Sequence, residues 1–168
     1  MKILSIDARR AAPHHASGIA NVHAHSWRMA YSGIIPHKAL DRMIARRDES
    51  WWARAIRHST RIVVIEDQDT VVGYATLGPN RVSALPQDGE IYELYLLPEY
   101  QGVGLGKKLF LAARQELINS GMKGAVVWVL EENFPAMEFY RNAGGQDLAE
   151  GSETFDDKPL KKIAFCWN

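Results

Sequence analysis

Hydrophobic positions along the chain follow two different periods, which predict a domain built from both helices and strands. Apolar residues recur at helical spacing in four segments, 13–31, 37–58, 105–120 and 133–144. β-Branched and aromatic residues dominate shorter runs that favour strands, at 61–66, 71–77, 90–97, 124–130 and 160–167. Residues 2–7 and 146–151 complete the predicted strands. The pattern indicates an α/β (α+β) fold in a single domain over residues 1–168.

The order of these elements predicts a cleft near the middle of the sheet. Strands 61–66 and 71–77 form a hairpin, and a turn-rich loop leads into 90–97, so three antiparallel strands follow one another. The next helix makes a right-handed crossover, which sets strand 124–130 parallel to 90–97. Parallel neighbours that diverge at one end leave a cleft, and the start of this helix faces it.

Three glycines at alternate positions stand where that helix begins. Gly102, Gly104 and Gly106 are followed directly by Lys107 and Lys108. The first turn of a helix carries free backbone N–H groups and a partial positive charge, and glycines let a ligand approach them closely. The sequence therefore predicts a phosphate or pyrophosphate site.

Two other glycine-rich phosphate motifs fit this stretch poorly. A Walker loop needs Ser or Thr after its Lys, whereas Leu109 follows Lys108 here. A dinucleotide-binding fold places Gly-x-Gly-x-x-Gly near the start of a βαβ unit, whereas here Gly-x-Gly-x-Gly follows about 100 residues of other structure. A nucleotide-binding oxidoreductase is therefore a minor alternative.

Composition and charge narrow the remaining classes. Lys plus Arg and Asp plus Glu both number 20, so the charge balance gives no general footprint for nucleic acid or an anionic membrane. Cys166 is the only cysteine, and neither a signal peptide nor a membrane-spanning run stands out, so we expect a cytoplasmic protein. His23 and His25 lie two residues apart on a predicted helix and face different sides, which argues against a shared metal site.

Two motifs give the chain a family resemblance. Gln101-x-x-Gly104-x-Gly106 after a strand ending in Leu-Pro, and Asn133 followed seven residues later by Tyr140, resemble the signatures of bacterial N-acetyltransferases of the GNAT superfamily. The resemblance implies a mixed, mostly antiparallel central sheet of about six or seven strands, with a splayed parallel pair at its centre and about four flanking helices. It also implies acetyl transfer from acetyl-CoA (coenzyme A) to a primary amine of a small molecule or a protein or peptide, by direct attack in a ternary complex.

The same resemblance implies that the cofactor lies along the splayed strand and the glycine loop. The implied contacts are Leu94, Tyr95, Leu96, Gln101, Gly102, Val103, Gly104, Leu105, Gly106, Lys107, Asn133 and Tyr140. Leu94 and Tyr95 would pair with pantetheine, and a bulge in the strand would free the main-chain N–H of Leu96 to polarise the thioester. Tyr140 matches the family's general acid, and a phenol with a pKa of ~10 stays protonated at neutral pH.

The resemblance leaves two candidates for the residue that accepts the proton of the amine, and it implies an aromatic pocket for the amine. Glu90 has the spacing from Gln101 at which histone-acetylating members carry their catalytic glutamate, whereas Glu93 lies closer to the thioester. Strand alternation puts the two on opposite faces unless a bulge resets it, so both stay open as the base. The aromatic residues that would line the acceptor pocket are Trp27, Tyr31, Tyr92 and Trp128. Many relatives dimerise, so a homodimer is a further expectation.

The leading alternative to an enzyme is a non-catalytic module that binds acyl-CoA. Such a module would keep the glycine loop but would not need Tyr140. Turnover with an amine, and its dependence on Tyr140, distinguish the two hypotheses.

Overall fold

A seven-stranded sheet with helices on both faces forms the body of the molecule. The computed structural model describes residues 6–58 and 61–168, and the elements below belong to this part of the chain. The strands are β1 (Ala8–Arg10), β2 (Arg61–Asp67), β3 (Thr70–Pro79), β4 (Gly89–Leu96), β5 (Ala125–Leu130), β6 (Gln146–Phe155) and β7 (Lys158–Trp167). The helices are α1 (Ala16–Tyr31), α2 (His37–Arg46), α3 (Glu49–Arg57), α4 (Leu105–Asn119) and α5 (Phe134–Asn142).

The strand order across the sheet is β1-β2-β3-β4-β5-β7-β6. Among the described strands, all neighbouring pairs are antiparallel except β4 and β5, which confirms the predicted mixed sheet with a central parallel pair. Five α-helices flank the sheet, because the segment 37–58 divides into α2 and α3. The division falls at Arg47 and Asp48, where the Asp48 carboxylate caps α3 by accepting the N–H of Trp51 at 2.9 Å.

Both ends of the chain differ in detail from the sequence prediction. The first strand was expected at 2–7, but residues 2–5 lie outside the described part of the chain, and the strand that is described begins at Ala8. The last hairpin is longer than predicted, and Pro159 lies inside β7 opposite Thr154 rather than in a loop. Pro159 is tolerated there because β7 pairs with β5 only from Lys162 onward, so the proline has a free edge.

The sheet divides the molecule into two sides. Tyr74 of β3 points toward α1, where its hydroxyl lies 3.0 Å from Nδ1 of His23. The next residue back, Gly73, lies opposite Leu96, whose side chain on the other face is close to Gly106 of α4. We refer to these faces as the α1 side and the α4 side.

β4 and β5 separate soon after they start. Within the described chain, their parallel register covers only Gly89 opposite Ala125 and Glu90 opposite Val126. β5 then continues against β7, while the remainder of β4 pairs only with β3. The two strands therefore leave an opening between them, which we call the central gap.

The β6–β7 hairpin and the α1–α2 connection line the open end of the central gap on the α1 side. Phe155 and Leu160, from the ends of the β6–β7 hairpin, pack in one hydrophobic cluster with Trp27 and with Leu130 at the end of β5. Lys158 of the hairpin donates a hydrogen bond to the carbonyl of Ile34, between α1 and α2, at 3.2 Å. The hairpin and the α1–α2 connection thus meet beside the gap.

Over residues 6–58 and 61–168, every helix is too short or too polar to cross a bilayer.

Candidate active site

The glycine loop forms a backbone cradle at the start of α4. Gly102 and Gly104 adopt φ values of 78° and 87°, in the left-handed region that favours glycine. A side chain added at either position would meet nothing within 4 Å, so the space over the cradle is open. Gly104 is the N-cap of α4 and offers no side-chain cap, which leaves the first-turn N–H groups for a ligand. The cradle therefore fits the predicted pyrophosphate.

The residues around the cradle hold it against the end of β4. Gln101 donates from Nε2 to the carbonyl of Leu96 at 3.2 Å. A Cβ on Gly106 would come within 3.0 Å of the Phe139 ring, so this glycine permits close packing of α4 on α5. Lys107 and Val103 are exposed beside the cradle, so the predicted basic residue is available to an anion.

Two backbone groups of β4 face the central gap. Leu97 donates its N–H to the carbonyl of Val72 in β3 at 2.9 Å. Successive residues of an antiparallel strand direct their N–H and C=O groups to opposite sides. Those of Tyr95 and Leu97 therefore point toward β3, whereas those of Leu94 and Leu96 point toward the gap. The divergence of β4 and β5, rather than a bulge at Leu96, leaves the N–H and carbonyl of Leu94 and the N–H of Leu96 open, while the Leu96 carbonyl accepts the Gln101 side chain.

The β4 bulge lies earlier in the strand than the resemblance implied. Thr76 is opposite Glu93 and Leu77 is opposite Ile91, so Tyr92 is the extra residue. Because Glu90 lies opposite Gly78, the shift brings Glu90 and Glu93 onto the same face. Both carboxylates are therefore on the α1 side.

Tyr140 is buried on the α4 side of the gap. Its ring packs near Phe110, Phe139, Phe165 and Trp167, with ring centroids 5.1 to 6.2 Å apart. Burial raises the pKa of Tyr140, and the nearby Tyr31 raises it further. The phenol is therefore protonated at neutral pH, and in the described chain no hydrogen bond contributes to this pKa.

Asn133 has a structural role at the start of α5. It is buried, and its side-chain oxygen accepts the N–H of Ala136 at 3.4 Å as the helix N-cap. It also lies close enough to Tyr31 to lower the pKa of that phenol.

Tyr31 lies beside the central gap on the α1 side. Its hydroxyl lies 2.5 Å from that of Tyr95, on the α1 side. Burial raises the pKa of Tyr31 to about 12, and Tyr95, Glu93 and Asn133 also influence it. Tyr140 lies on the α4 side, and Tyr31 is near enough to raise its pKa further.

The predicted acceptor residues fall into two groups. The Trp27 ring lies 5.4 Å from Tyr31 and 5.7 Å from Tyr95, so these rings form a continuous wall beside the gap. Tyr92 instead donates its hydroxyl to the carbonyl of Pro79 at 2.6 Å, outside that wall. Trp128 packs in a separate cluster with Val126, Ala164 and Leu85, so the described ring contacts do not join it to Tyr31.

Each predicted base lies in an ion pair. The Glu90 side chain is 1% exposed and contacts Nη2 of Arg81 at 2.7 Å and the Arg81 N–H at 3.1 Å. Glu93 is paired with Arg47 and accepts the Tyr74 hydroxyl at 2.7 Å. Of the two, Glu93 is the one that influences the pKa of Tyr31 and so belongs to the same electrostatic environment.

Sequence reasoning missed three members of this cluster: Arg47, Tyr74 and His23. The Tyr74 hydroxyl donates to Glu93, so its oxygen accepts Nδ1–H of His23 and leaves Nε2 of His23 unprotonated. Burial and the nearby Arg47 charge lower the pKa of His23 to about 4. The only sequence signal was a histidine on the apolar face of a predicted helix.

His23 is expected to make the protein less stable in mild acid. Its pKa of about 4 in the fold lies below the 6.5 of an ordinary histidine, so protonation favours the unfolded chain. The free energy of unfolding is unaffected by this group above about pH 6.5 and decreases as the pH drops toward 4. At pH 5 the decrease is about 2 kcal/mol. Chemical denaturation at pH 7.5 and pH 5 measures this loss.

Two variants isolate the effect of His23. His23→Phe should reduce the stability difference between the two pH values by about that amount. His25→Gln is the matched control, because His25 is exposed on the same helix and should retain the wild-type pH dependence. An unchanged pH dependence in His23→Phe would contradict the assignment.

Grouped metal ligands are not found at the site or elsewhere in residues 6–58 and 61–168: no three His, Cys, Asp or Glu side chains come together to hold an ion.

Comparison with known proteins places these features in a family. Residues 22–144 match the family model described as Acetyltransferase (GNAT) family. The uncharacterized N-acetyltransferase YuaI of Bacillus subtilis is 31% identical over 163 residues, covering 96% of this chain and 92% of YuaI.

Two solved structures show the same fold. The paia N-acetyltransferase of Thermoplasma acidophilum, in complex with coenzyme A, matches with a TM-score of 0.75 at 21% identity, over 95% of this chain and 98% of its own. Salmonella typhimurium yncA with acetyl-CoA matches with a TM-score of 0.68 at 18% identity, over 97% and 93% of the two chains. With the family model spanning both motifs and YuaI related over nearly the whole length, the chain belongs to the GNAT family of acetyltransferases.

Proposed function

We propose that this chain transfers the acetyl group of acetyl-CoA to a primary amine of a small molecule or peptide, by direct attack in a ternary complex. The observation that carries the proposal is the central gap, with an open glycine cradle near one end, the buried phenol of Tyr140 on the α4 side and the hydroxyls of Tyr31 and Tyr95 on the α1 side. When bound, acetyl-CoA supplies the thioester from which the acetyl group is transferred.

The chain's own backbone is proposed to hold the cofactor. First-turn N–H groups of α4, from Leu105 onward, bind the pyrophosphate, and Lys107 adds a positive charge. The pantetheine arm takes the place of the missing strand partner of β4, by pairing with open backbone groups of Leu94 and Leu96. In this assignment the N–H of Leu96 donates to the thioester oxygen, whereas Tyr95 contributes its ring rather than its peptide group.

Tyr140 is proposed to donate a proton to the departing sulfur. Its phenol stays protonated because burial raises its pKa, and a general acid must carry its proton until the leaving group departs. Asn133, seven residues earlier, fixes the start of α5 and thereby the position of Tyr140.

The aromatic wall of Trp27, Tyr31 and Tyr95 is proposed to line the amine side. The proton that the amine gives up is proposed to leave through water, because both carboxylates considered as bases are already engaged by arginines. Glu90 then stabilises the β3–β4 loop through Arg81, and Glu93 belongs to the acceptor site.

Ligand-induced stabilisation and thiol release test this function together. Acetyl-CoA should raise Tm, whereas NAD(H) should leave it unchanged, because only ligands of the folded state stabilise it. A panel of primary amines should then release free thiol from acetyl-CoA in the presence of the protein. A Tm shift with acetyl-CoA but no thiol release from any amine would favour the acyl-CoA-binding module. The absence of both responses would reject the proposal.

A further inference from the structure

The guanidinium of Arg47 lies in an aromatic enclosure beside the amine side of the site. Its Cζ is 4.6 Å from the ring centroid of Trp51 and 5.7 Å from those of Trp27 and Trp52. It also forms the ion pair with Glu93. We call the three tryptophans and Glu93 the Arg47 cage.

The Arg47 cage is continuous with the proposed acceptor wall. Trp27 belongs to both, because its ring contacts those of Tyr31 and Tyr95 as well as the Arg47 guanidinium. Glu93 lies two residues before Tyr95 on the same face of β4 and raises the pKa of Tyr31. A molecule in the cage would therefore extend along this wall toward Tyr31 and the central gap.

The chemistry of the cage selects a planar cation. Indole faces attract cations, and a guanidinium both stacks on them and pairs with a carboxylate. The Glu93 side chain is only 10% exposed, so leaving it without a cationic partner would be costly. An occupant of the cage must therefore bring a positive charge.

One buried acceptor beside the cage is not used by Arg47. Nε2 of His23 is buried and has no hydrogen-bond partner within the described residues. Because Nδ1 carries the proton, Nε2 can accept an N–H of a bound guanidinium. The buried indole N–H groups of Trp27 and Trp52 are donors only, so they need water rather than a cation.

Arg47 is placed so that it could leave the cage without disrupting a helix. It follows α2, with φ −105° and ψ 61°, in the two-residue connection to α3. Its side chain is 28% exposed, whereas that of its partner Glu93 is 10% exposed. Rotation of the Arg47 side chain toward solvent would open the cage.

We propose that the Arg47 cage is a guanidinium subsite of the acceptor site, which Arg47 fills until an amine acceptor bearing its own guanidinium displaces it. The inference rests on the proposed function and names a substrate class for it. Glu93 serves as the counter-ion of this second cationic group, while the reacting amine lies nearer Tyr140. Glu93 is thus a binding residue.

Chemical rescue tests the subsite without any catalytic readout. Arg47→Ala removes the internal guanidinium, so methylguanidinium should raise the Tm of this variant by several degrees more than the neutral methylurea does. Arg46→Ala is the matched control, since Arg46 is the exposed preceding residue, and it should respond equally to both compounds. Arg47→Gln provides a second variant should the alanine variant fold poorly. Equal responses to both compounds in the Arg47 variants would overturn the proposal.

Acceptor kinetics test whether the subsite serves the substrate. Agmatine, which has a primary amine and a guanidinium, should be acetylated with kcat/KM about tenfold or more above that of an alkylamine of matched length. Glu93→Gln should raise KM for agmatine while leaving the pH profile of kcat unchanged. Loss of the acidic limb of that profile would instead make Glu93 the base and refute its assignment as a binding residue.

The two proposals fail in distinguishable ways. Acetylation of amines with no preference for agmatine, combined with no rescue, would remove the subsite and leave the acetyltransferase function intact. Rescue by methylguanidinium without acetylation of any amine would leave a cation site and remove the proposed function along with the substrate assignment.

Discussion

Tyr140→Phe is expected to lower kcat by about a hundredfold or more while leaving the Kd for coenzyme A unchanged. The phenol is protonated and buried, and its hydroxyl is the only group that the substitution removes. The ring packing against Phe110, Phe165 and Trp167 is retained, so the fold should be little affected. Steady-state thiol release and calorimetric titration with coenzyme A measure the two quantities.

Tyr100→Phe is the matched control for this experiment. Tyr100 donates its hydroxyl to Asp67 at 2.9 Å, away from the central gap, so its removal should leave kcat close to the wild-type value. A Tyr140→Phe variant with full kcat would remove the general acid from the mechanism and leave thiolate departure unassisted by this side chain.

Gly104→Ala is expected to raise the Kd for acetyl-CoA at least about tenfold, because the cradle needs both a left-handed backbone and free access to its amides. At φ 87° an L side chain is strained by about 1–2 kcal/mol, and relief of the strain would rotate the first N–H groups of α4 away from the ligand. Calorimetric titration measures the affinity, and denaturant unfolding measures the strain.

Gly121→Ala separates strain from ligand access. Gly121 follows the other end of α4 with φ 79°, and an added side chain would likewise meet nothing within 4 Å. The two variants should lose similar stability, but Gly121→Ala should bind acetyl-CoA normally. Equal loss of affinity in both variants would mean that the effect comes from general destabilisation rather than from the cradle.

The elements nearest the cofactor site were the most predictable from sequence. The glycine run, the helix that follows it and the apolar strand at 124–130 all lie where local pattern alone placed them. Their geometry follows from short-range rules: glycine at positive φ, helical spacing of leucines, and β-branched residues in a buried strand. The right-handed crossover then sets the parallel pair.

The relative orientation of the two glutamates could not be predicted in the same way. Simple alternation puts Glu90 and Glu93 on opposite faces, and only the bulge at Tyr92 brings them together. A bulge depends on how β3 and β4 pair across the sheet. No residue of β4 indicates the bulge in the sequence, because Tyr92 is an ordinary aromatic residue for a strand.

The arginine partners were equally hidden in the sequence. Arg47 lies in a charged stretch between two amphipathic helices, where most arginines are solvated. Its contact with Glu93 joins residues 46 positions apart, and only the packing of α1 and α3 on the sheet brings them within reach. Likewise, Trp128 and Tyr92 looked like pocket aromatics, but the structure engages them with other neighbours.

The short joint between β4 and β5 has a mechanical consequence. Strands β1 to β4 form one part of the sheet, and β5, β7 and β6 form the other. Among the described residues, the backbones of the two parts pair only where Gly89 and Glu90 lie opposite Ala125 and Val126, and just before them Asp88 donates its N–H to the carbonyl of Lys123. The backbone of the described chain thus joins the two parts of the sheet only along this short segment, and side-chain packing, such as that of Phe155 and Leu160 on Trp27, makes the other contacts between them. A cofactor bound between the two parts would contact both of them, so the whole domain should become more rigid as the cofactor site is filled.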